Sequence, residues 1–159
     1  MLGRSRIPQL LNPDFKDMLS GLKEAEADYL IVGAYALAAH GYPRATGDLD
    51  IWVRPTPENS IRVWRALAAF GAPVSQLSPD DLSNRGVVFQ IGLAPRRIDV
   101  LTSISGVEFE IAWRNRMTFR MDGMEVQVIG RDDLLVNKRA SGRPKDLADA
   151  ATLDPPDAQ

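Results

Sequence analysis

Seven residues, Gly47-Asp48-Leu49-Asp50-Ile51-Trp52-Val53, limit the fold more than any other stretch of this sequence. In an extended strand successive side chains point to opposite faces, so Leu49, Ile51 and Val53 form an apolar face while Asp48 and Asp50 share the other. At ~3.3 Å per residue their Cα atoms lie about 6.6 Å apart. Both carboxylates can then reach one cation, or bridge two ions ~3.5–4 Å apart. Without a cation the pair repels. The segment therefore predicts a sheet with one face on a core and the other open to a positive charge. Arg97-Ile98-Asp99-Val100-Leu101 offers a third aspartate with the same alternation, which joins the pair only if its strand lies alongside. An Asp-x-Asp can also be a solvated strand end, and Asp99 alone a surface residue. The order in the chain favours a site: a buried strand, a glycine turn, a carboxylate pair on the next strand, then a lone strand carboxylate.

The other elements are read from periodicity and punctuation. Phe15, Met18, Leu19 and Leu22 recur on one side of a helix that starts at Pro13-Asp14 and runs to about Glu26. Asp28 to Val32 is short and apolar, as a strand buried in an α/β sheet is. Gly33 breaks it, and Ala34 to His40 reads as helix. Gly41 to Gly47 is a loop, and Thr56-Pro57 caps a helix whose buried stripe is assigned to Ile61, Trp64, Leu67 and Ala68, with Gly71 as its end. Ser78-Pro79 caps a short helical turn. Val87 to Ile91 and Arg97 to Leu101 read as strands, and Met117 to Met121 with Met124 to Val128 as a hairpin around Asp122-Gly123. Helices follow over Asp132 to Ala140, stopped by Gly142, and over Pro144 to Leu153. The fold class is α/β (α+β): a mixed sheet with a terminal hairpin, flanked by helices, in a single domain over residues 1–159 whose tail, 154–159, is flexible.

A chain of 159 residues that is 45% hydrophobic is long enough for one core, burying roughly 70% of its unfolded surface. Zero cysteines exclude disulfides and thiolate metal sites, and a single histidine excludes zinc clusters, so a divalent ion must be held by oxygen. A net charge of −2 argues against a general nucleic-acid coat. Tyr29 to Ala39, the most apolar run, falls short of the ~20 residues that span a bilayer, and no apolar run follows the basic Met1 to Arg6. No membrane partner and a cytoplasmic location are expected. His40, at the end of an apolar helix, is read as a partly buried structural donor, and Trp52, Trp64 and Trp113 as core or interface anchors, with Trp52 on the face of Asp50.

Taken together, Gly33-Ala34, Asp48-Leu49-Asp50 and Ile98-Asp99-Val100 resemble the pattern of minimal nucleotidyltransferases of the polymerase-beta-like superfamily. The first half, from Val32-Gly33 through His40-Gly41-Tyr42-Pro43-Arg44 to Asp48-Leu49-Asp50-Ile51-Trp52-Val53, and the end, Asn137-Lys138-Arg139-Ala140-Ser141-Gly142-Arg143-Pro144-Lys145-Asp146, are similar to a stand-alone bacterial MNT/AbiEii-like group. The resemblance spans about Asn12 to Leu153. It implies catalytic and metal-binding roles for Asp48, Asp50 and Asp99, with Mg²⁺ or Mn²⁺ as cofactor and a nucleoside triphosphate as substrate. Gly33, Ala34, Arg44, Thr46, Lys138, Lys145 and Asp146 would bind the nucleotide. Where the family carries Gly or Ser, this chain has Ala34, which keeps a backbone N–H for a phosphate and lacks a hydroxyl. Arg44 is either a phosphate contact or an ordinary loop arginine, and Lys145-Asp146 either a second polar contact or a helix-start pair. Lys138, four residues after Leu134 and three after Leu135, lies close to the packing face of its helix, and the resemblance implies that its charge, near solvent, reaches the triphosphate.

The activity implied is transfer of a nucleoside monophosphate to a hydroxyl of RNA, such as tRNA, of a partner protein or of a small molecule, in a toxin–antitoxin pair or elsewhere. The alternatives are a catalytically silent nucleotide-binding or protein-interaction module and, from Arg114, Arg116, Arg120, Arg139 and Arg143, an RNA-binding protein. The oligomeric state is not legible in the sequence.

Overall fold

The computed structural model describes residues 11–42 and 47–156. Helix α1, Pro13–Glu24, opens with Asn12 accepting a hydrogen bond from the Phe15 amide at 2.9 Å, and buries Phe15, Met18, Leu19 and Leu22. It stops two residues before the expected end because Glu26 turns into the left-handed region at φ 59°. Strand β1, Tyr29–Val32, follows, then α2, Gly33–Ala39, and β2, Leu49–Val53. Next come α3, Pro57–Phe70, a 3-10 turn over Val74–Gln76, α4, Pro79–Leu82, β3, Val88–Ile91, and β4, Ile98–Leu101. The chain continues with α5, Phe109–Arg114, the hairpin β5, Met117–Met121, and β6, Met124–Val128, then α6, Arg131–Ser141, and α7, Pro144–Leu153.

The strands form one mixed sheet in the order β3-β4-β2-β1-β6-β5. β1 and β2 are antiparallel with Val32 opposite Asp50, whereas β2 and β4 are parallel with Asp50 opposite Asp99. β1 also pairs with β6 in parallel, and the two outer pairs are antiparallel. The central strands are buried because their apolar face meets helix side chains: Leu49, Ile51 and Val53 are fully covered in the same core as Phe15, Leu19, Val63 and Leu67. This is the mixed α/β sheet expected, with helices flanking it. In the β5–β6 hairpin both turn residues have positive φ, 51° at Asp122 and 82° at Gly123, the twist that a two-residue loop needs.

Two expectations fail. In α3 the buried residues are Asn59, Ser60, Val63, Ala66 and Leu67, while Ile61 is 43% exposed, Ala68 is exposed and Trp64 is half-buried. The stripe sits elsewhere because two of its positions are polar. Asn59 Nδ2 donates to the carbonyls of Asp28 and Arg54, both at 3.0 Å, and its Oδ1 accepts from the Asp28 amide at 2.7 Å, tying α3 to the strand ends. Ser60 Oγ donates to the Thr56 carbonyl at 2.7 Å. Helix α5 was not expected at all. It has six residues and buries only Phe109 and Ala112, too little to register as a period.

Among the described residues no helix is long and apolar enough to cross a membrane. The basic Met1 to Arg6 stretch, Arg44, Thr46 and the last residues of the expected flexible tail, 157–159, lie outside the described residues.

Candidate active site

The sheet register brings the three aspartates together. Asp50 and Asp99 sit opposite one another on adjacent parallel strands, and Asp48 precedes β2 on the same side. The floor of a cleft of about 430 Å³ is made by these residues, one wall by Val32, Gly33 and Ala34, and the other by Asn137, Lys138 and Ser141 of α6 with Lys145, Asp146 and Asp149 of α7. Asp99 is nearly buried, at 8% exposure. Burial, then the neighbouring charges of Asp99 and Asp48, push the Asp50 carboxyl up to about 6, against the opposing pull of Arg97 and Lys138.

Arg97 is the residue that the sequence reading overlooked. Its Nε donates to Asp99 Oδ1 at 2.8 Å and its Nη2 to Asp99 Oδ2 at 3.2 Å, while Nη2 also lies 3.3 Å from Asp48 Oδ2. Its backbone N–H donates to Asp48 Oδ1 at 3.2 Å. The signal was available: Arg97 and Asp99 are two apart on one strand, so the alternation that pairs Asp48 with Asp50 also puts the guanidinium beside Asp99.

The expected setting of Lys138 is corrected. Its ammonium is not near solvent: the residue is 6% exposed and lies 3.1 Å from both Asp146 Oδ1 and Asp149 Oδ2, which are each 4% exposed. Position 138 faces α7, and α7 presents residues three apart, 146 and 149, on one side. Burial raises Asp146, but hydrogen bonds from Ser141, Lys138 and Arg143 outweigh it and bring the carboxyl down to about 2. Asp146 is thus the hub of a buried ion-pair network, and neither Asp149 nor this network was foreseen. Lys145 is exposed at the rim of the cleft.

Both aromatic expectations, His40 as a structural donor and Trp52 as a core anchor, are met. His40 is structural, its Nε2–H donating to the Ile129 carbonyl at 2.8 Å with the ring edge-on to Phe119. Trp52 does not border the cleft; it is 1% exposed and packs edge-to-face on Phe109 with centroids 5.0 Å apart.

Gly33 is required by space as well as by its φ of +70°. A Cβ there would fall 2.3 Å from Asp50 Oδ2. Gly33→Ala should therefore strain the backbone by about 1–2 kcal/mol and turn the Asp50 carboxylate away. The melting temperature should fall by roughly 2–8 °C. In an Asp50→Ala background the same substitution should cost less, and equal costs in both backgrounds would show that the two residues do not touch.

An oxygen-only donor set on two adjacent strands suits a hard divalent cation. Among the described residues, however, no group of three acidic or imidazole side chains is gathered around a point as an ion's ligands are. The carboxylates of Asp48 and Asp99 are instead turned to Arg97.

No protein-family profile matches the chain, and no curated protein matches it in sequence. Solved structures do match. The crystal structure of TM1012 from Thermotoga maritima, described as a "putative nucleotidyltransferase", superposes with a TM-score of 0.58 at 14% identity, covering 93% of this chain and 95% of that one. The lincomycin-bound lincosamide antibiotic adenylyltransferase LnuA superposes with a TM-score of 0.58 at 12% identity, covering 92% and 98%. The chain has the nucleotidyltransferase fold. In the frame of that fold, the cleft over Asp48, Asp50 and Asp99 is the candidate active site.

Proposed function

We propose that this protein transfers a nucleoside monophosphate from a magnesium- or manganese-bound nucleoside triphosphate to a hydroxyl of an acceptor. The observation that carries the reading is the register of Asp50 with Asp99 on adjacent parallel strands, with Asp48 beside them, on the floor of an open cleft. Asp48, Asp50 and Asp99 would hold the divalent ion, which when bound neutralises the triphosphate and polarises its α-phosphorus. Gly33 and Ala34 line one wall of the cleft, and their backbone N–H groups would meet phosphate oxygens there. Lys138, which lines the cleft, donates to Asp146 Oδ1 and lies 3.1 Å from Asp149 Oδ2, and its charge would face the triphosphate from that wall. Lys145, exposed at the rim, would meet the outer phosphates.

In the reaction an acceptor oxygen attacks the α-phosphorus, the new P–O bond forms and the α–β bridging bond breaks, releasing pyrophosphate. The hydroxyl proton goes to a carboxylate, for which Asp99 is the candidate. A small hydroxylated molecule, an RNA end such as that of a tRNA and a protein side chain all meet this chemistry, and LnuA, by its name, acts on an antibiotic. A role in a toxin–antitoxin pair belongs to the same reading.

A second reading, a catalytically silent module, draws on Ala34 and on Arg97, which pairs with two of the three aspartates. Incubation with each α-labelled triphosphate, Mg²⁺ and cell extract separates the two. Label is expected on one acceptor class, and Asp99→Asn should reduce transfer at least about 100-fold, as loss of a general base does. Absence of label, together with equal nucleotide affinity in EDTA and in Mg²⁺ by calorimetry, would leave only the silent module.

A further inference from the structure

Arg97 is the cation that the carboxylate cluster is built around in this structure. Three of its nitrogens are committed there: Nε and Nη2 to Asp99, Nη2 also to Asp48, and the backbone N to Asp48. The backbone carbonyl of Arg97 accepts from the Leu49 amide at 2.9 Å, so the residue is anchored at the start of both strands and its side chain crosses from β4 to Asp48. The guanidinium and a divalent ion thus need the same oxygens. Both cannot sit among Asp48 and Asp99 in full contact without like charges meeting.

Resting on the nucleotidyl-transfer reading, we propose that Arg97 is a resident counter-ion: it neutralises Asp48 and Asp99 until a divalent ion displaces it, and its released guanidinium then pairs with the triphosphate. Two features make the exchange feasible. The Arg97 side chain is 32% exposed, so it has room to move toward the cleft, which it lines. The planar fork that grips a carboxylate bidentately grips a phosphate equally well. The consequence is a coupling of ligands. Metal alone binds weakly because the guanidinium must be left without an anion, and metal with triphosphate binds well because the phosphate supplies one.

The two halves predict effects of opposite sign in one variant. Manganese binding is followed by the loss of free-ion spin resonance at pH 8, first with Mn²⁺ alone and then with Mn²⁺ and the α,β-methylene analogue of ATP. Removing a unit charge a few ångströms from the ion should tighten Mn²⁺ alone about tenfold or more in Arg97→Ala. The same variant should bind the metal–analogue complex about tenfold more weakly than the parent. Arg97→Gln, which keeps most of the stem, should repeat both effects if the alanine variant does not fold. Arg97→Lys, which keeps the charge, should leave Mn²⁺ affinity close to that of the parent. A purely structural arginine would weaken both measurements together.

The inference is overturned if a folded Arg97→Ala or Arg97→Gln binds Mn²⁺ alone no more tightly than the parent. It is equally overturned if Arg97→Lys tightens Mn²⁺ as much as alanine does, since charge would not be the cause. Failure of the underlying reading looks different: the parent would bind no Mn²⁺ with or without the analogue. A parent that binds the metal–analogue complex while the variants leave Mn²⁺ affinity unchanged removes only the role of Arg97.

Discussion

Lys138→Ala is expected to destabilise the protein by about 3–5 kcal/mol, the cost of removing one partner from a buried ion pair. Asp146 and Asp149, each 4% exposed, would face the vacated space together. Arg143 and Ser141 still hydrogen-bond Asp146, at 2.8 and 2.5 Å, so part of its charge stays compensated and the cost comes from the lost ammonium and the repulsion between the two carboxylates. For a chain of this size the melting temperature should drop by roughly 6–20 °C. Lys138→Met keeps most of the volume and should be nearly as damaging, because the loss is of charge. Combining Lys138→Met with Asp149→Asn should recover a large part of the deficit. A Lys138→Ala protein that melts with the parent would mean that the ammonium is not paired in solution.

Asp50→Asn should do the reverse in the metal-free protein. The folded carboxyl is held at about 6 against an ordinary value of 3.8. At ~1.4 kcal/mol per unit, ionised Asp50 then costs the fold about 3 kcal/mol. The sign follows from proton counting. Between these two values the folded state binds more protons than the unfolded one, so stability falls as pH rises from about 4 to about 6 and is level beyond, as far as this group decides it. The asparagine variant lacks that fall. In EDTA at pH 8 it should melt roughly 6–12 °C above the parent, and at pH 4 the difference should nearly vanish. Saturating Mg²⁺ and nucleotide should stabilise the parent by about 2.7 kcal/mol at a hundredfold excess over Kd, and the variant should lose most of that gain. A variant that melts below the parent in EDTA and keeps the full ligand shift would make Asp50 a structural residue.

The elements legible in the sequence are those whose signals are local. Alternation around Asp48 and Asp50, the apolar run at Tyr29–Val32, the Asp122-Gly123 turn and the glycine stop at Gly142 each depend on neighbours in the chain, and each has its counterpart in the structure. What was missed depends on partners far away. Asn59 is buried because Asp28 and Arg54 satisfy its amide, 31 and 5 residues off, and no hydropathy pattern anticipates a buried asparagine. The short helix at Phe109 is packed through a ring contact with Trp52, far away in the chain. Helical spacing puts Lys138 near the packing face, but only the docking of α7 against α6 surrounds its ammonium with carboxylates. Arg97 differs: its place beside Asp99, two residues along the same strand, is readable from alternation alone.

The strand order also sets when the cleft can exist during folding. β2 meets its parallel neighbour through Asp50 and Asp99, 49 positions apart, and β1 meets β6 through Ile31 and Val128, nearly twice as far apart. Closing such loops costs chain entropy before any contact rewards it, which slows folding relative to helical or hairpin pairing. The β5–β6 hairpin and the α6–α7 pair can form early from near neighbours, but neither contains a β2 aspartate. During synthesis from the N-terminus, Asp48 and Asp50 emerge well before Arg97, and for that interval their charges face water without their countercharge. The cleft is therefore a late product of folding, and a partly folded chain would carry the helices and the hairpin with no place to hold a nucleotide.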